Sequence, residues 1–137
     1  MSFVLDSSVS LTWCFEDERT YATDALLERV VELGAVAPSL WPLEVLNALA
    51  MAERRRRVDA DRRQLLVGFM RDLPVTIDAE TSSQAWAVTS KLAAKFGLTV
   101  YDAAYLELAQ RLGLPLATLD QELRAAGNAV GITLLGS

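Results

Sequence analysis

The chain has 137 residues, 52% hydrophobic and 23% charged, with a formal net charge of −5. That length suits one domain able to bury a core without a covalent or metal staple, and the composition excludes intrinsic disorder. With one cysteine, Cys14, and no histidine, an intrachain disulfide, a cysteine- or histidine-based metal centre and Ser-His-Asp or Cys-His catalysis are all excluded. A catalyst here must use carboxylates, hydroxyls, Lys, Arg, Tyr or a bound ion.

In chain order, residues 3–6 (Phe-Val-Leu-Asp) read as a short buried strand, 7–15 as a brief helix, and Glu16-Asp17-Glu18 as an acidic loop. Leu26, Leu27, Val30, Val31 and Leu33 have helical spacing, which predicts a helix over 23–33 stopped by Gly34. A second strand follows at 35–38, then a long helix from Ser39 to about Arg57, with Pro42 tolerated in its first turn and Ser39 as its cap. Further helices are expected at 60–73, 80–96 and 101–112, the last two ended by Gly97 and Gly113. Strands are expected at 75–77, 114–119 and 132–134, with a short helix at 121–126. Short apolar strands alternating with helices imply an α/β fold, its mostly parallel sheet covered on both faces. No run approaches the ~18 apolar residues that span a bilayer. The first residues meet an acid at once and lack a basic flank, so no signal peptide and no membrane association are expected, and the cytoplasm is the expected location.

Four acids stand in apolar surroundings: Asp6 after Phe-Val-Leu, Glu44 in Leu-Trp-Pro-Leu-Glu-Val-Leu, Asp102 in Val-Tyr-Asp-Ala-Ala-Tyr, and Asp120 after Leu-Ala-Thr-Leu. A carboxylate so placed is costly unless hydrogen-bonded, paired or metal-bound. Each falls at a strand end or in the first turn of the next helix, and in a parallel sheet these places share the carboxyl edge, where ligands bind. Carboxylates gathered there cannot all stay charged alone. A hard divalent ion, Mg²⁺ or Mn²⁺, resolves the conflict with oxygen ligands. The competing reading is capping, because acids in a first turn satisfy free N–H groups and the helix dipole. Asp120 fits that reading best and Glu44 least. Ser8 and Thr118 can support a carboxylate or a bound water, and Asn47, three positions after Glu44, shares its helix face.

Arg54, Arg55, Arg56, Arg57, Arg62 and Arg63 form a dense basic stretch. It is read as a surface for an RNA backbone or an acidic protein segment, because arginine forks match phosphate and carboxylate. Trp41, Trp86, Tyr101 and Tyr105 read as core or interface residues rather than base-stacking platforms. The bulk acidity does not exclude a phosphodiester substrate: with four ligand carboxylates neutralised by cations, the net charge becomes about −1.

Four ordered stretches carry a resemblance: Val4-Leu5-Asp6-Ser7-Ser8-Val9, Glu44-Val45-Leu46-Asn47-Ala48-Leu49, Thr99-Val100-Tyr101-Asp102-Ala103-Ala104-Tyr105 and Ala117-Thr118-Leu119-Asp120. Together they resemble the PIN domain, and within it the VapC-like ribonuclease toxins of toxin–antitoxin pairs, over nearly the whole chain. The resemblance implies an α/β/α sandwich and a Mg²⁺- or Mn²⁺-dependent endoribonuclease. It implies a metal site at Asp6, Glu44, Asp102 and Asp120 supported by Thr118, a homodimer, and inhibition by a VapB-like antitoxin. Thr12 departs from the pattern, standing where many relatives have a lysine. Two other readings remain open from the residues alone. One is a phosphoryl-handling α/β domain with Asp6 as phosphoacceptor, although Ser8 stands where a phosphatase of that kind wants a second Asp. The other is a non-catalytic binding module whose acids are caps.

Overall fold

The structure, a computed structural model, describes residues 2–137. Short, largely apolar segments form a five-stranded sheet. Its innermost strand, β1 (Val4–Leu5), is fully buried and pairs with β2 (Ala35–Ala37) on one side and β4 (Leu116–Ala117) on the other. β3 (Val75–Ile77) adds beyond β2, and β5 (Leu134–Leu135) beyond β4, giving the order β3-β2-β1-β4-β5. Every pairing is parallel, so the sheet expected to be mostly parallel is wholly so.

Helices fill the crossovers. α1 (Ser7–Thr12), a 3-10 turn (Glu16–Glu18) and α2 (Tyr21–Leu33) join β1 to β2; α3 (Trp41–Arg54) and α4 (Ala60–Asp72) join β2 to β3. The long return to β4 carries α5 (Thr81–Gln84), a π turn (Ala85–Thr89), α6 (Ser90–Phe96) and α7 (Val100–Leu112), and α8 (Gln121–Ala129) leads to β5. α1 and α4 both pack on α3, while α7 packs on α5, α6 and α8. With right-handed crossovers these are the outer layers of an α/β/α sandwich. Strand order reverses between β1 and β4, and the crevice at such a switch point is where an open parallel sheet receives ligands.

Several boundaries move for local reasons. α2 begins two residues early because Thr20 and Thr23 cap each other reciprocally. α3 ends at Arg54 rather than Arg57, since Arg56 takes a left-handed conformation (φ 62°) and turns the chain toward α4. Ser39 does not cap α3: its N–H is bonded to Thr81 Oγ1, and Leu40 occupies the cap position. β5 starts at Leu134 rather than Ile132, because the Ile132 N–H is spent on Gly127 O at the end of α8. The helix expected over 80–96 is divided into α5, the π turn and α6. Thr89, Leu92 and Ala93 are the buried residues of this stretch. Trp86, on that turn, is 92% exposed, and Tyr101 is 64% exposed. These two aromatics are therefore not core residues, whereas Trp41 and Tyr105 are. No helix among the described residues is long and apolar enough to cross a membrane.

Candidate active site

The site is built at the carboxyl ends of β1 and β4 and in the first turns of the helices beside them. Asp6 follows β1 directly and is 3% exposed. Two hydroxyls converge on one of its oxygens: Ser8 Oγ donates to Oδ2 at 2.6 Å and Thr118 Oγ1 to the same atom at 2.7 Å. Neither engages Oδ1. The hydroxyls are themselves held, because Ser8 Oγ accepts from the Leu119 N–H and Thr118 Oγ1 from the Asp120 N–H. A second brace fixes the backbone. Ser10 Oγ donates to the Asp6 carbonyl at 3.1 Å and accepts from Trp41 Nε1 at 2.8 Å, tying the start of α1 to the start of α3.

Glu44 lies one turn beyond Trp41. Its carboxylate does not cap α3; Tyr105 Oη donates to Oε1 at 2.6 Å, and Ser7 Oγ to the same oxygen at 3.3 Å. Asp102 sits in the first turn of α7, whose cap is Thr99, accepting from the Asp102 N–H. Asp120 is the cap of α8, accepting from the Leu123 N–H at 2.9 Å. The capping reading therefore holds for Asp120, but it does not describe Asp6 or Glu44. Asn47 is exposed, and the bonds that hold Glu44 come from Tyr105 and Ser7 instead. Thr12 is buried and bonds the Val9 carbonyl, a local helix contact.

Asp6, Glu44 and Asp102 are raised by burial and by neighbouring negative charge. Burial raises the Asp6 carboxyl above the usual range against the pull of the Ser8 and Thr118 hydroxyls, and the Glu44 charge raises it further. Glu44 is raised by burial, opposed by the Tyr105 and Ser7 hydrogen bonds, with a further push from Asp102. Asp102 is pushed up to about 6 by burial first, then by the charges of Asp120 and Asp6. Glu122, in the first turn of α8, adds a smaller push on Asp102. Among the described residues, no Lys or Arg forms an ion pair with any of the four. Nor do any three Asp, Glu or Cys side chains there stand in an arrangement that clasps an ion. The structure thus brings the acids to one edge and couples them electrically, with the side chains not drawn into a clasp. By donor chemistry the set fits a hard divalent cation: oxygen only, anionic, hydroxyl-braced and without an internal counter-charge. Three participants escape a reading of the sequence, namely Tyr105, Ser7 and Glu122. The signal for Tyr105 is its spacing, three residues after Asp102 on the same helical face.

The arginine stretch lies elsewhere. Arg55 is eleven residues beyond Glu44 on the α3 path, roughly 16 Å at the rise of an α-helix, toward the opposite end of the domain. Arg57 pairs with Asp17 and Glu18 and stacks over the Phe15 ring at 4.1 Å, and Arg63 pairs with Glu53. Arg54, Arg55, Arg56 and Arg62 are exposed and form no ion pair among the described residues.

Comparison with known proteins agrees with this architecture. The family model described as PIN domain matches residues 3–129. Ribonuclease VapC3 of Pyrobaculum aerophilum is 33% identical over 127 residues, 90% of this chain and 92% of that protein. The crystal structure of PAE2754 from Pyrobaculum aerophilum superposes with a TM-score of 0.70 at 25% identity, covering 98% of this chain and 83% of that one. VapBC2 from Rickettsia felis, bound to a DNA fragment from their promoter, shares the fold with a TM-score of 0.66 at 14% identity over 98% and 97% of the two chains. With an all-parallel sheet, acids at its switch point and a family match over nearly its whole length, the chain belongs to the PIN-domain family, among its VapC-like members.

Proposed function

We propose that this chain, as one domain over residues 1–137, is a Mg²⁺- or Mn²⁺-dependent endoribonuclease and the toxin of a toxin–antitoxin pair. The observation that carries the reading is the carboxyl edge, where Asp6, Glu44, Asp102 and Asp120 crowd negative charge with no basic partner among the described residues. Asp6, Glu44 and Asp102 are the principal ligands; Asp120 holds a second ion or its water. When bound, the ion supplies Lewis acidity toward the phosphate and lowers the pKa of a water. The protein supplies position. Ser8 and Thr118 fix Asp6 with Oδ1 not engaged by either hydroxyl. The Trp41–Ser10 brace fixes the spacing of α1 and α3, and hence of Asp6 and Glu44. Absence of histidine leaves no imidazole to act as base.

The partners follow the same reading. RNA is the substrate, which the 33%-identical relative's name, Ribonuclease VapC3, supports. A VapB-like antitoxin is the regulatory partner, a homodimer the expected assembly and the cytoplasm the expected location. An apolar groove of about 340 Å³ between α3 and α4, lined by Trp41, Pro42, Val45, Leu46, Val67 and Met70, offers a partner surface. Arg54, Arg55, Arg56 and Arg62 form a basic surface away from the acids, suited to protein or to an outlying part of the RNA.

The test is cleavage of a labelled structured RNA by purified protein, with Mn²⁺, with chelator, and for Asp6→Asn. Cleavage that needs the ion and vanishes in the variant supports the reading. Full cleavage in excess chelator, or by the variant, overturns it.

A further inference from the structure

Tyr105 is the largest fully buried side chain, and nothing in a hydrophobic core requires its hydroxyl. A phenylalanine would fill the same space. The hydroxyl instead reaches from α7 to α3 and donates to Glu44 Oε1 at 2.6 Å, across 61 residues of sequence. Ser7, at the start of α1, donates to the same oxygen at 3.3 Å. The arrangement repeats the one at Asp6, where Ser8 and Thr118 both donate to Oδ2. In each case two neutral hydroxyls pin one carboxylate oxygen and leave the other unengaged by them. A neutral donor fixes orientation without cancelling charge, whereas an arginine in its place would spend the negative charge on an internal ion pair. Tyr105 also shares α7 with Asp102, three residues earlier, so one helix delivers a carboxylate of its own and the group that aims a carboxylate of another.

We infer that Tyr105 is a positioning residue, whose hydroxyl holds Glu44 by Oε1 and turns Oε2 toward a divalent cation shared with Asp6 and Asp102. The inference rests on the metal-site reading above and assigns a residue to it. Partners that orient a metal-ligating carboxylate in this way govern affinity by about 10- to 100-fold.

The experiment is calorimetric titration with Mn²⁺ of wild type, Tyr105→Phe, Glu44→Gln and the double variant, with thermal midpoints taken in chelator. Wild type binds the ion, and Tyr105→Phe binds it about 10- to 100-fold more weakly. That loss disappears in the Glu44→Gln background, because the hydroxyl then has no carboxylate to aim. Equal affinity of wild type and Tyr105→Phe overturns the assignment while leaving the metal site standing. A loss that persists undiminished without Glu44 also overturns it, since the hydroxyl would then act elsewhere. A Tyr105→Phe protein that does not fold overturns it too, because the hydroxyl would be holding the core. Wild type that binds no Mn²⁺ overturns both this inference and the reading beneath it.

Discussion

Helix α7 carries an acidic cluster at each end, and the two are solved differently. Toward its C-terminus, Glu107, only 4% exposed, meets Asp78 and Glu80 around the guanidinium of Arg111. Nε lies 2.8 Å from Glu107, Nη2 2.6 Å from Asp78 and Nη1 3.2 Å from Glu80. At its N-terminus, Asp102 meets Asp6, Glu44 and Asp120 with hydroxyl donors but, among the described residues, no cation of the chain's own. The first cluster is closed: its charges are answered internally, and it locks the segment after β3 to α7. The second is left anionic at the switch point of the sheet. Buried like charges without a counter-charge are costly, and the same helix shows that an arginine was one available solution. At the carboxyl edge no described Lys or Arg forms an ion pair with the acids, and the proposed function rests on that contrast.

The largest effect expected from breaking this contrast is at the open cluster. On the proposed function, Asp6→Asn removes a ligand from a site asked to supply several kcal/mol of transition-state stabilisation. RNA cleavage should fall roughly 1,000-fold or more, measured as initial rate at saturating Mn²⁺, with the circular dichroism spectrum unchanged. Next is the closed cluster. Arg111→Met strands buried Glu107 and half-buried Asp78, and should cost about 3 kcal/mol in a urea melt, the scale of a broken buried pair. A loss well under about 1 kcal/mol would show the clasp to be no better than a surface pair.

A third expectation sharpens the comparison through pH. Asp102 has its ordinary value of 3.8 raised to about 6 in the folded protein. A carboxyl raised on folding lends stability while protonated and loses it as pH rises through the folded value. In chelator, the thermal midpoint should therefore decline between pH 4 and about 6. Asp102→Asn should lessen that decline, to which raised Asp6 and Glu44 also contribute, and saturating Mn²⁺ should reverse it. The smallest effect belongs to the exposed basic end. Arg57→Ala, which removes solvent-exposed pairs with Asp17 and Glu18 and a stack on Phe15, should cost less than about 1 kcal/mol in the same urea melt.

Much of this architecture is legible in the amino-acid sequence. Strands of Val, Leu and Ala bounded by glycine and proline, and helices with apolar residues at three- and four-residue spacing, identify a parallel α/β sheet whatever the details of packing. Asp6, Glu44, Asp102 and Asp120 declare themselves because an acid among leucines and alanines needs a reason. Contacts distant in sequence hide the rest. Ser39 reads as a cap, yet Leu40 holds the cap position and the Ser39 N–H reaches Thr81, 42 residues away.

The acids' chemistry, their place at strand ends and the family they indicate were determined by the sequence alone, because those depend on residue type and local period. That Asp120 also caps α8, that Ser7 and Tyr105 rather than Asn47 hold Glu44, and that the arginines lie around the α3–α4 turn were decided only by the tertiary structure. Hydrogen bonds between residues 37, 61 and 112 positions apart depend on how strands and helices cross, and no local pattern encodes that.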